Sequence, residues 1–313
     1  MLSYIRFLAM ALLLASSSLF AQPLLEAHQA AALLANGELQ PLDIRSPELY
    51  QTSHIPGAIS APYGRWRGPA SNPGQLLSPH AFEQLVQELG LTPDLHILVY
   101  STGDDETDFG AAARVYWTLK YLGFERLSVL NGGFKFWQAL QGSQTEQTAS
   151  QLPASPVRVR VQPQLAVGTD ELLDKITHQQ GNFQLLDSRP PAFFEGTVKA
   201  PAARVGGTIA GAKNLPFQQW FNTNDTRVRP AEEIRLLVRE QQLDQAEETL
   251  SFCNTGHWAA TNWFVLSELA GLDNVRLYPG SMAEWTQNPA ALPMDNTPGR
   301  WQQIKAKFQQ LVQ

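Results

Sequence analysis

The sequence predicts an α/β protein made of two tandem copies of one domain, each a mainly parallel sheet flanked by helices. Short apolar strands alternate with helical stretches in both halves, which is typical of βα units. The two halves also repeat the same motifs in the same order. A length of 313 residues is sufficient for two hydrophobic cores.

The repeat is visible in both the spacing and the order of the motifs. Gly123 and Gly271 lie 148 residues apart, and Trp137 and Trp285 share that separation. An Asp-x-Arg triplet at 43–45 recurs at 187–189. A His-Ile-Pro-Gly-Ala segment at 54–58 has its counterpart, Thr-Ile-Ala-Gly-Ala, at 208–212. These ordered matches indicate a duplicated domain.

Each copy is expected to contain a central strand that leads into a helix. The first copy predicts a strand at 97–100 and a helix from about 111 to 122, whereas the second predicts a strand at 249–252 and a helix at 259–270. Residues 141–164 are rich in Gln, Ser, Thr and Pro and lack a helical period, which predicts a linker. The predicted domains are therefore residues 22–140 and 165–313.

Residues 1–21 have the pattern of a signal peptide. Arg6 supplies a positive charge, an apolar run follows at 7–14, and Ala21 is a suitable residue before a cleavage site. A membrane anchor is the competing interpretation, but the apolar run is short for a span and no stop-transfer charge follows it. We expect export, to a bacterial periplasm, and no membrane span after cleavage.

Charge and composition narrow the classes of partner. The net charge is −6 without a Lys/Arg cluster, so neither nucleic acid nor an anionic membrane is an expected partner. The single cysteine excludes an internal disulfide, and the six scattered histidines include no His-x-x-x-His pair. We expect no metal and no organic cofactor. The sequence does not indicate an oligomeric state.

The single cysteine, Cys253, lies between the predicted strand at 249–252 and the predicted helix at 259–270. Such a junction presents unpaired backbone N–H groups and the positive end of a helix dipole, which both favour the nucleophilic thiolate. The alternative is a buried cysteine acting as a small apolar residue. The polar Asn-Thr-Gly-His sequence that follows favours the reactive cysteine, because such a loop is a poor place to bury an apolar side chain.

The chain resembles the tandem rhodanese family, the sulfurtransferases of thiosulfate and 3-mercaptopyruvate type. The motifs that carry the resemblance are the two Asp-x-Arg triplets, the segments 54–58 and 207–212, the cysteine loop, and the closing segment Gly-Ser-Met-Ala-Glu-Trp at 280–285. The resemblance implies two rhodanese folds, with the active site in the second domain and facing the first. It also implies that the Cys253 thiolate takes a sulfur from a small-molecule donor, holds it as a persulfide, and passes it to cyanide or a thiol.

By this resemblance, the loop that follows Cys253 binds the substrate, and its N–H groups from about 254 to 259 cradle the persulfide. Its candidate residues are Asn254, Thr255, Gly256, His257 and Trp258.

The two Asp-x-Arg triplets are a further candidate feature. Asp187 and Arg189 are candidate supporting residues, for which a structural ion pair and a role at the site are equally compatible with the pattern. For Asp43 and Arg45 the structural ion pair is the favoured interpretation.

The first copy has no cysteine. The position after its central strand carries Ser101, which forms no persulfide, and the loop continues with the acidic Asp104 and Asp105. The resemblance therefore implies an inactive partner domain that helps to wall the active-site cleft.

The sequence departs from the family pattern in its charges. Thiosulfate-using members commonly carry basic residues in the cysteine loop, and this loop has neither Lys nor Arg. The basic residue usual after the second Asp-x-Arg triplet is also absent from 190–194. Lys199, Arg204 and His257 are the candidate replacements. The donor stays open among thiosulfate, 3-mercaptopyruvate and a thiol or protein persulfide.

Two other functions compete with sulfur transfer. Dual-specificity phosphatases share the cysteine-loop geometry but need a Cys-x5-Arg loop for a phosphoryl group, and the sixth residue after Cys253 is Ala259. The second alternative is a non-catalytic binding module in which Cys253 has no reaction to perform.

Overall fold

A computed structural model describes residues 21–179 and 181–299. The predicted signal peptide, apart from Ala21, lies outside the described residues. Among those that are described, no helix is long and apolar enough to cross a membrane.

The first domain is a five-stranded parallel sheet flanked by helices. The strands follow the order β1-β5-β4-β2-β3, and all four neighbouring pairs are parallel. A short 3-10 helix, Tyr63–Trp66, follows the edge strand β3. The elements are β1 Leu24–Leu25, α1 Ala27–Ala35, β2 Gln40–Asp43, α2 Pro47–Thr52, β3 Ile59–Ser60, α3 Pro79–Glu88, β4 Ile97–Tyr100, α4 Glu106–Tyr121, β5 Leu127–Leu130 and α5 Gly133–Ala139.

Helix α4 begins five residues before its predicted start. Asp105 is the N-cap, and its side chain accepts a hydrogen bond from the backbone N–H of Asp108 at 3.0 Å. Of the two acidic residues predicted to lie in the loop, Asp105 thus caps the helix, and Glu106 and Asp108 occupy its first turn, where carboxylates are favourable. The strand predicted at 97–100 is β4.

The segment between the domains follows the first domain as an extended strap. The backbone N–H of Ser155 donates to the carbonyl of Gln87 at 2.9 Å, and the Gln87 side chain donates to the carbonyl of Val157 at 2.8 Å. The N–H of Arg160 donates to the carbonyl of Leu122. A single 3-10 turn, Pro163–Leu165, precedes the second domain.

The second domain repeats the architecture with a four-stranded parallel sheet in the order β10-β9-β6-β8. A short antiparallel pair, β11 with β7, lies beside it. The helix predicted at 259–270 is present, but it changes from α-helix to π-helix at Phe264–Leu269. The elements are α6 Thr169–His178, β6 Phe183–Asp187, α7 Pro191–Phe194, β7 Thr208–Ile209, β8 Lys213–Asn214, α8 Ala231–Glu240, β9 Glu248–Phe252, α9 Trp258–Trp263, β10 Val275–Leu277, α10 Ser281–Gln287 and β11 Met294–Asp295.

The loops after β4 and β9 occupy equivalent places in the two copies. In the first copy, the N–H of Phe134 at the start of α5 donates to the carbonyl of Ser101 at 2.9 Å. In the second copy, the N–H of Met282 at the start of α10 donates to the carbonyl of Cys253 at 3.1 Å. Ser101 is therefore the counterpart of Cys253 in backbone position.

The two domains share one continuous hydrophobic core, because α4 of the first packs against α9 of the second. Phe109 and Tyr116 meet the ring of Phe264 edge to face, with centroids 5.6 and 5.0 Å away. The Tyr116 hydroxyl and the Lys120 ammonium both donate to Glu268 at 2.7 Å. This interface fixes the first domain over the end of β9, where Cys253 begins the loop.

Candidate active site

Cys253 follows the last residue of β9, at the carboxyl edge of the second parallel sheet. Edge loops of this kind are where α/β domains place their ligands. The cysteine is only 1% exposed and belongs to the core shared by the domains. The expectation that its polar loop is a poor place for burial is therefore wrong. The loop is polar, but the first domain covers it.

A single hydroxyl holds the Cys253 loop closed. Ser281 Oγ accepts hydrogen bonds from the N–H groups of Cys253 at 3.1 Å and Gly256 at 3.0 Å, and it donates to the carbonyl of Tyr278 at 2.8 Å. Ser281 reaches these groups from a left-handed backbone, with φ +52°. The first copy has Gly133 at this point, also left-handed, with φ +64°. In the second copy, a residue with a side chain therefore adopts a strained left-handed backbone, and its hydroxyl anchors the loop.

The same loop leaves several of its backbone donors free. Of the acceptors in residues 21–179 and 181–299, none takes a hydrogen bond from the N–H groups of Asn254, Thr255, His257, Trp258 and Ala259. Successive free N–H groups in a tight loop form a nest that attracts an anion. The anion in question is a thiolate or persulfide on Cys253, because this residue stands at the start of the loop.

His257 joins the loop to the first domain as a neutral imidazole. Its Nε2 lies 2.7 Å from the carbonyl of Thr107, which only accepts, so Nε2 carries the proton. Its Nδ1 then accepts from the Tyr63 hydroxyl at 2.9 Å. Burial, followed by the nearby charge of Arg67, lowers the pKa of His257 to about 4. His257 is therefore uncharged at neutral pH and does not replace the missing cations.

Two arginines of the first domain supply positive charge to the loop. Arg67 Nη2 donates to the carbonyl of Thr255 at 2.7 Å, and Arg114 Nη1 donates to the carbonyl of Gly256 at 3.0 Å. Arg114 is fully buried, and burial together with Arg67 lowers its pKa to about 9, so it stays cationic at neutral pH. Neither residue was predicted from the sequence. A signal was present for Arg114, which follows three alanines and is the only charged residue in the stretch 109–119.

Asp187 and Arg189 form a buried bidentate ion pair behind the loop. Arg189 Nη2 lies 2.6 Å from Asp187 Oδ2 and donates to the carbonyl of Gly207 at 2.7 Å. Its Nη1 is 3.4 Å from Asn254 Oδ1, so the pair reaches the residue that follows Cys253. Asp43 and Arg45 make the same buried pair at 2.6 Å in the first domain.

The other candidate cations lie elsewhere. Lys199 donates to the carbonyl of Ala203, and Arg204 is exposed. Within the described part of the chain, no hydrogen bond connects either residue with the Cys253 loop. Trp258 packs on aromatic neighbours, with its ring stacked on Phe217 at 5.0 Å and at the edge of Phe193 at 5.9 Å.

Comparison with known proteins gives the same two-domain organisation. The rhodanese-like domain family matches twice, at residues 26–140 and 169–288. A putative thiosulfate sulfurtransferase of Haloferax volcanii is 31% identical over 250 residues, covering 76% of this chain and 82% of that protein. The thiosulfate sulfurtransferase of Rattus norvegicus is 32% identical over 240 residues, covering 75% and 78%. The crystal structure of the Tum1 protein of Saccharomyces cerevisiae superposes with a TM-score of 0.73 at 22% identity, covering 88% of this chain and 99% of that one.

Two substitutions of Ser281 separate the contribution of its hydroxyl from the cost of its left-handed backbone. Ser281→Ala and Ser281→Gly both leave two buried N–H groups without an acceptor, which costs about 1–3 kcal/mol. Alanine also keeps the left-handed strain that glycine avoids, so we expect Ser281→Ala to be less stable than Ser281→Gly by about 1 kcal/mol. Urea denaturation of the three proteins measures both differences. Equal stability of all three would show that the hydroxyl does not anchor the loop.

The neutral state of His257 predicts a pH-dependent stability. Its pKa in the folded protein, about 4, lies below the ordinary value of 6.5, so the unfolded chain takes up the proton first. The contribution of His257 is complete above about pH 6.5 and is lost as the pH falls toward about 4. His257→Gln keeps a donor and an acceptor without titrating, and should flatten this part of the urea-denaturation profile. His28→Gln, at an exposed position on α1, is the control. Parallel profiles for His257→Gln and the wild type would contradict the assignment.

Proposed function

The chain belongs to the rhodanese family and is a sulfurtransferase of two rhodanese-like domains, and on this premise we propose that Cys253 carries the sulfur as a persulfide and that thiosulfate is the donor. The observation that carries the first part is the position of Cys253, the only cysteine, at the start of a loop that leaves the N–H groups of 254, 255 and 257–259 free in the described residues. The second part rests on the names of the relatives and on the charge that the first domain adds.

The proposed reaction has two displacement steps. The Cys253 thiolate attacks the outer sulfur of thiosulfate, the S–S bond breaks with its electron pair on the leaving sulfite, and the outer sulfur stays on Cys253 as a persulfide anion. Cyanide or a thiolate then attacks that terminal sulfur, and the Cys253 thiolate is regenerated. Charge and electrons balance in each step, so no external oxidant or reductant is required.

The loop suits an anion in both steps. The sulfur of Cys253 is negative as the thiolate and again as the persulfide, and free N–H groups stabilise such charge best where water is excluded. The burial of Cys253 provides that exclusion. The N–H groups of 254, 255 and 257–259 are the proposed donors.

Thiosulfate is a dianion, and the absence of basic residues from the loop itself is the main argument against it. Arg67 and Arg114 reach the loop from the first domain and supply the positive charge that the loop itself lacks. The two relatives described above, which are named thiosulfate sulfurtransferase or putative thiosulfate sulfurtransferase, also support this donor. 3-Mercaptopyruvate and a thiol persulfide are the alternatives that the donor experiment distinguishes.

We also propose that the protein is exported to a bacterial periplasm. The support is the signal-like sequence at 1–21. The first strand, β1, begins at Leu24, so cleavage after Ala21 would leave every described strand and helix intact.

Persulfide formation is tested by intact mass. We expect the wild type to gain the mass of one sulfur atom with thiosulfate and to lose it on addition of cyanide, because Cys253 is the only thiol. Cys253→Ala should gain nothing and lose all transfer, with a thermal midpoint near that of the wild type. 3-Mercaptopyruvate and glutathione persulfide are tested in parallel.

Ser101→Ala is the matched control, since Ser101 occupies the equivalent backbone position in the first domain. It should form the persulfide at the wild-type rate. A wild type that forms an adduct only with 3-mercaptopyruvate or a persulfide refutes thiosulfate as the donor. A wild type that forms no adduct with any donor refutes the persulfide mechanism and favours the binding module.

Export is tested by expressing the full chain in a Gram-negative host. We expect the protein in the periplasmic fraction with Gln22 as its first residue by N-terminal sequencing, because cleavage is expected after Ala21. A chain deleted for residues 2–21 is the control and should stay in the cytoplasm. Recovery of the full-length chain in the membrane fraction would instead support an anchor.

A further inference from the structure

Two guanidinium groups at the Cys253 loop, that of the fully buried Arg114 and that of the partly buried Arg67, have no carboxylate partner in the described residues. Arg45 and Arg189, the other deeply buried arginines named above, each face an aspartate at 2.6 Å. In the described residues, neither Arg67 nor Arg114 forms an ion pair, and Arg67 Nη1 and Arg114 Nε have no hydrogen-bond partner. Burial of a cation without a counter-ion is costly. Two such cations side by side, both from the first domain, therefore favour an anion close to them.

The arginines also determine which way two peptide units face. Arg67 holds the carbonyl of Thr255, and Arg114 holds the carbonyl of Gly256. In a planar trans peptide the C=O and the following N–H point in opposite directions. The N–H groups of Gly256 and His257 must then point away from the first domain. The contact of the Gly256 N–H with Ser281 Oγ, 3.0 Å, has this orientation.

Other contacts of these arginines hold them within the first domain. Arg114 Nη2 donates to the carbonyl of Gly74 at 3.1 Å, so Arg114 ties the loop of the second domain to a loop of the first. Arg67 lies over the ring of Tyr63, whose hydroxyl contacts His257. A Cβ added at Gly256 would lie 2.2 Å from Arg114 Nη1, which leaves glycine as the residue that fits this close approach. Cys253 and Arg114 are near enough to interact electrostatically.

We infer that Arg67 and Arg114 are positioning residues of the active site. Arg67 fixes the peptide unit whose N–H, that of Gly256, bonds Ser281, and Arg114 fixes the unit whose free N–H is that of His257. Together they place two positive charges beside the anionic forms of Cys253. The domain without a cysteine thereby completes the site of the other domain. This role rests on the proposed persulfide chemistry. The first domain then contributes to the reaction itself, in addition to lining the active-site cleft.

The test compares Arg67→Gln and Arg67→Lys with Arg65→Gln. Arg65 is the matched control, because it lies on the 3-10 helix Tyr63–Trp66 that Arg67 directly follows, and it pairs with Glu88 at 2.6 Å, away from the loop. Two rates are measured at one pH: alkylation of Cys253 by iodoacetamide and turnover of thiosulfate with cyanide. The thermal midpoint of each variant shows whether the fold is kept.

We expect Arg67→Gln to lower both the alkylation rate and kcat about tenfold, since a charge-assisted hydrogen bond to the loop is lost. KM should change less than kcat, Arg67→Lys should recover part of the loss, and Arg65→Gln should match the wild type. Guanidinium chloride at low millimolar concentration should raise the rates of Arg67→Ala but not those of the wild type. Arg114→Lys, which keeps the charge but not the fork of donors, should lower kcat in the same direction.

Wild-type rates of both alkylation and turnover in Arg67→Gln would overturn the inference, as would losses that only follow a lowered thermal midpoint. Alkylation does not require sulfur transfer, so it separates this inference from the proposed function. If the wild type forms no persulfide while Arg67→Gln still slows alkylation, the proposed function fails and the positioning of the cysteine loop stands.

Discussion

The structure depends on one constraint: the Cys253 loop must keep five N–H groups, those of Asn254, Thr255 and 257–259, unpaired beside a cysteine that is almost fully buried. Buried backbone groups without partners are costly, so every other group of the loop has to be satisfied from outside. The carbonyls of residues 253–257 are each bonded, in order, to the N–H of Met282, the N–H of Ala283, Arg67, Arg114 and the N–H of Ala260. The loop is therefore held by its carbonyls and by the two N–H groups that bond Ser281, which leaves its other donors for an anion.

This constraint explains why the site needs both domains. Helix α10 of the second domain satisfies the carbonyls of Cys253 and Asn254, but the next two carbonyls face the first domain. Only side chains long enough to cross the interface reach them, and arginine provides several donors in a fixed fork. The shared core between α4 and α9 fixes the distance over which those arginines act. The geometry of the loop thus depends on the packing of the two domains.

The sequence predicted the parts of the fold that depend on local pattern. The α/β class with two rhodanese-like domains is confirmed, and strand 97–100 was placed correctly because four apolar residues stand between turn signals. The predicted start of α4 was five residues too late, because acidic residues such as the N-cap Asp105 are equally typical of a loop and of a helix start. The π-helical end of α9 has no sequence signature that separates it from α-helix.

The electrostatics of the site could not be predicted from the sequence. Absence of Lys and Arg from the loop suggested missing charge, yet Arg67 and Arg114 are far from Cys253 along the chain and meet its loop only through the domain interface. Local periodicity carries no information about such contacts. The burial of Cys253 was missed for the same reason, since it results from the cover that the first domain provides.

Burial also explains which residue types carry charge at this site. An imidazole loses its proton when it is enclosed, as His257 does, and it then serves as a neutral hydrogen-bonding link between Tyr63 and Thr107. A guanidinium has so high an intrinsic pKa that Arg114 remains cationic at neutral pH even when fully buried. The positive charge of Arg114 near Cys253 therefore stays nearly constant from about pH 5 to neutral pH, where an ordinary histidine titrates. A sulfur anion formed at Cys253 meets a constant field, because the residues that supply it are arginines.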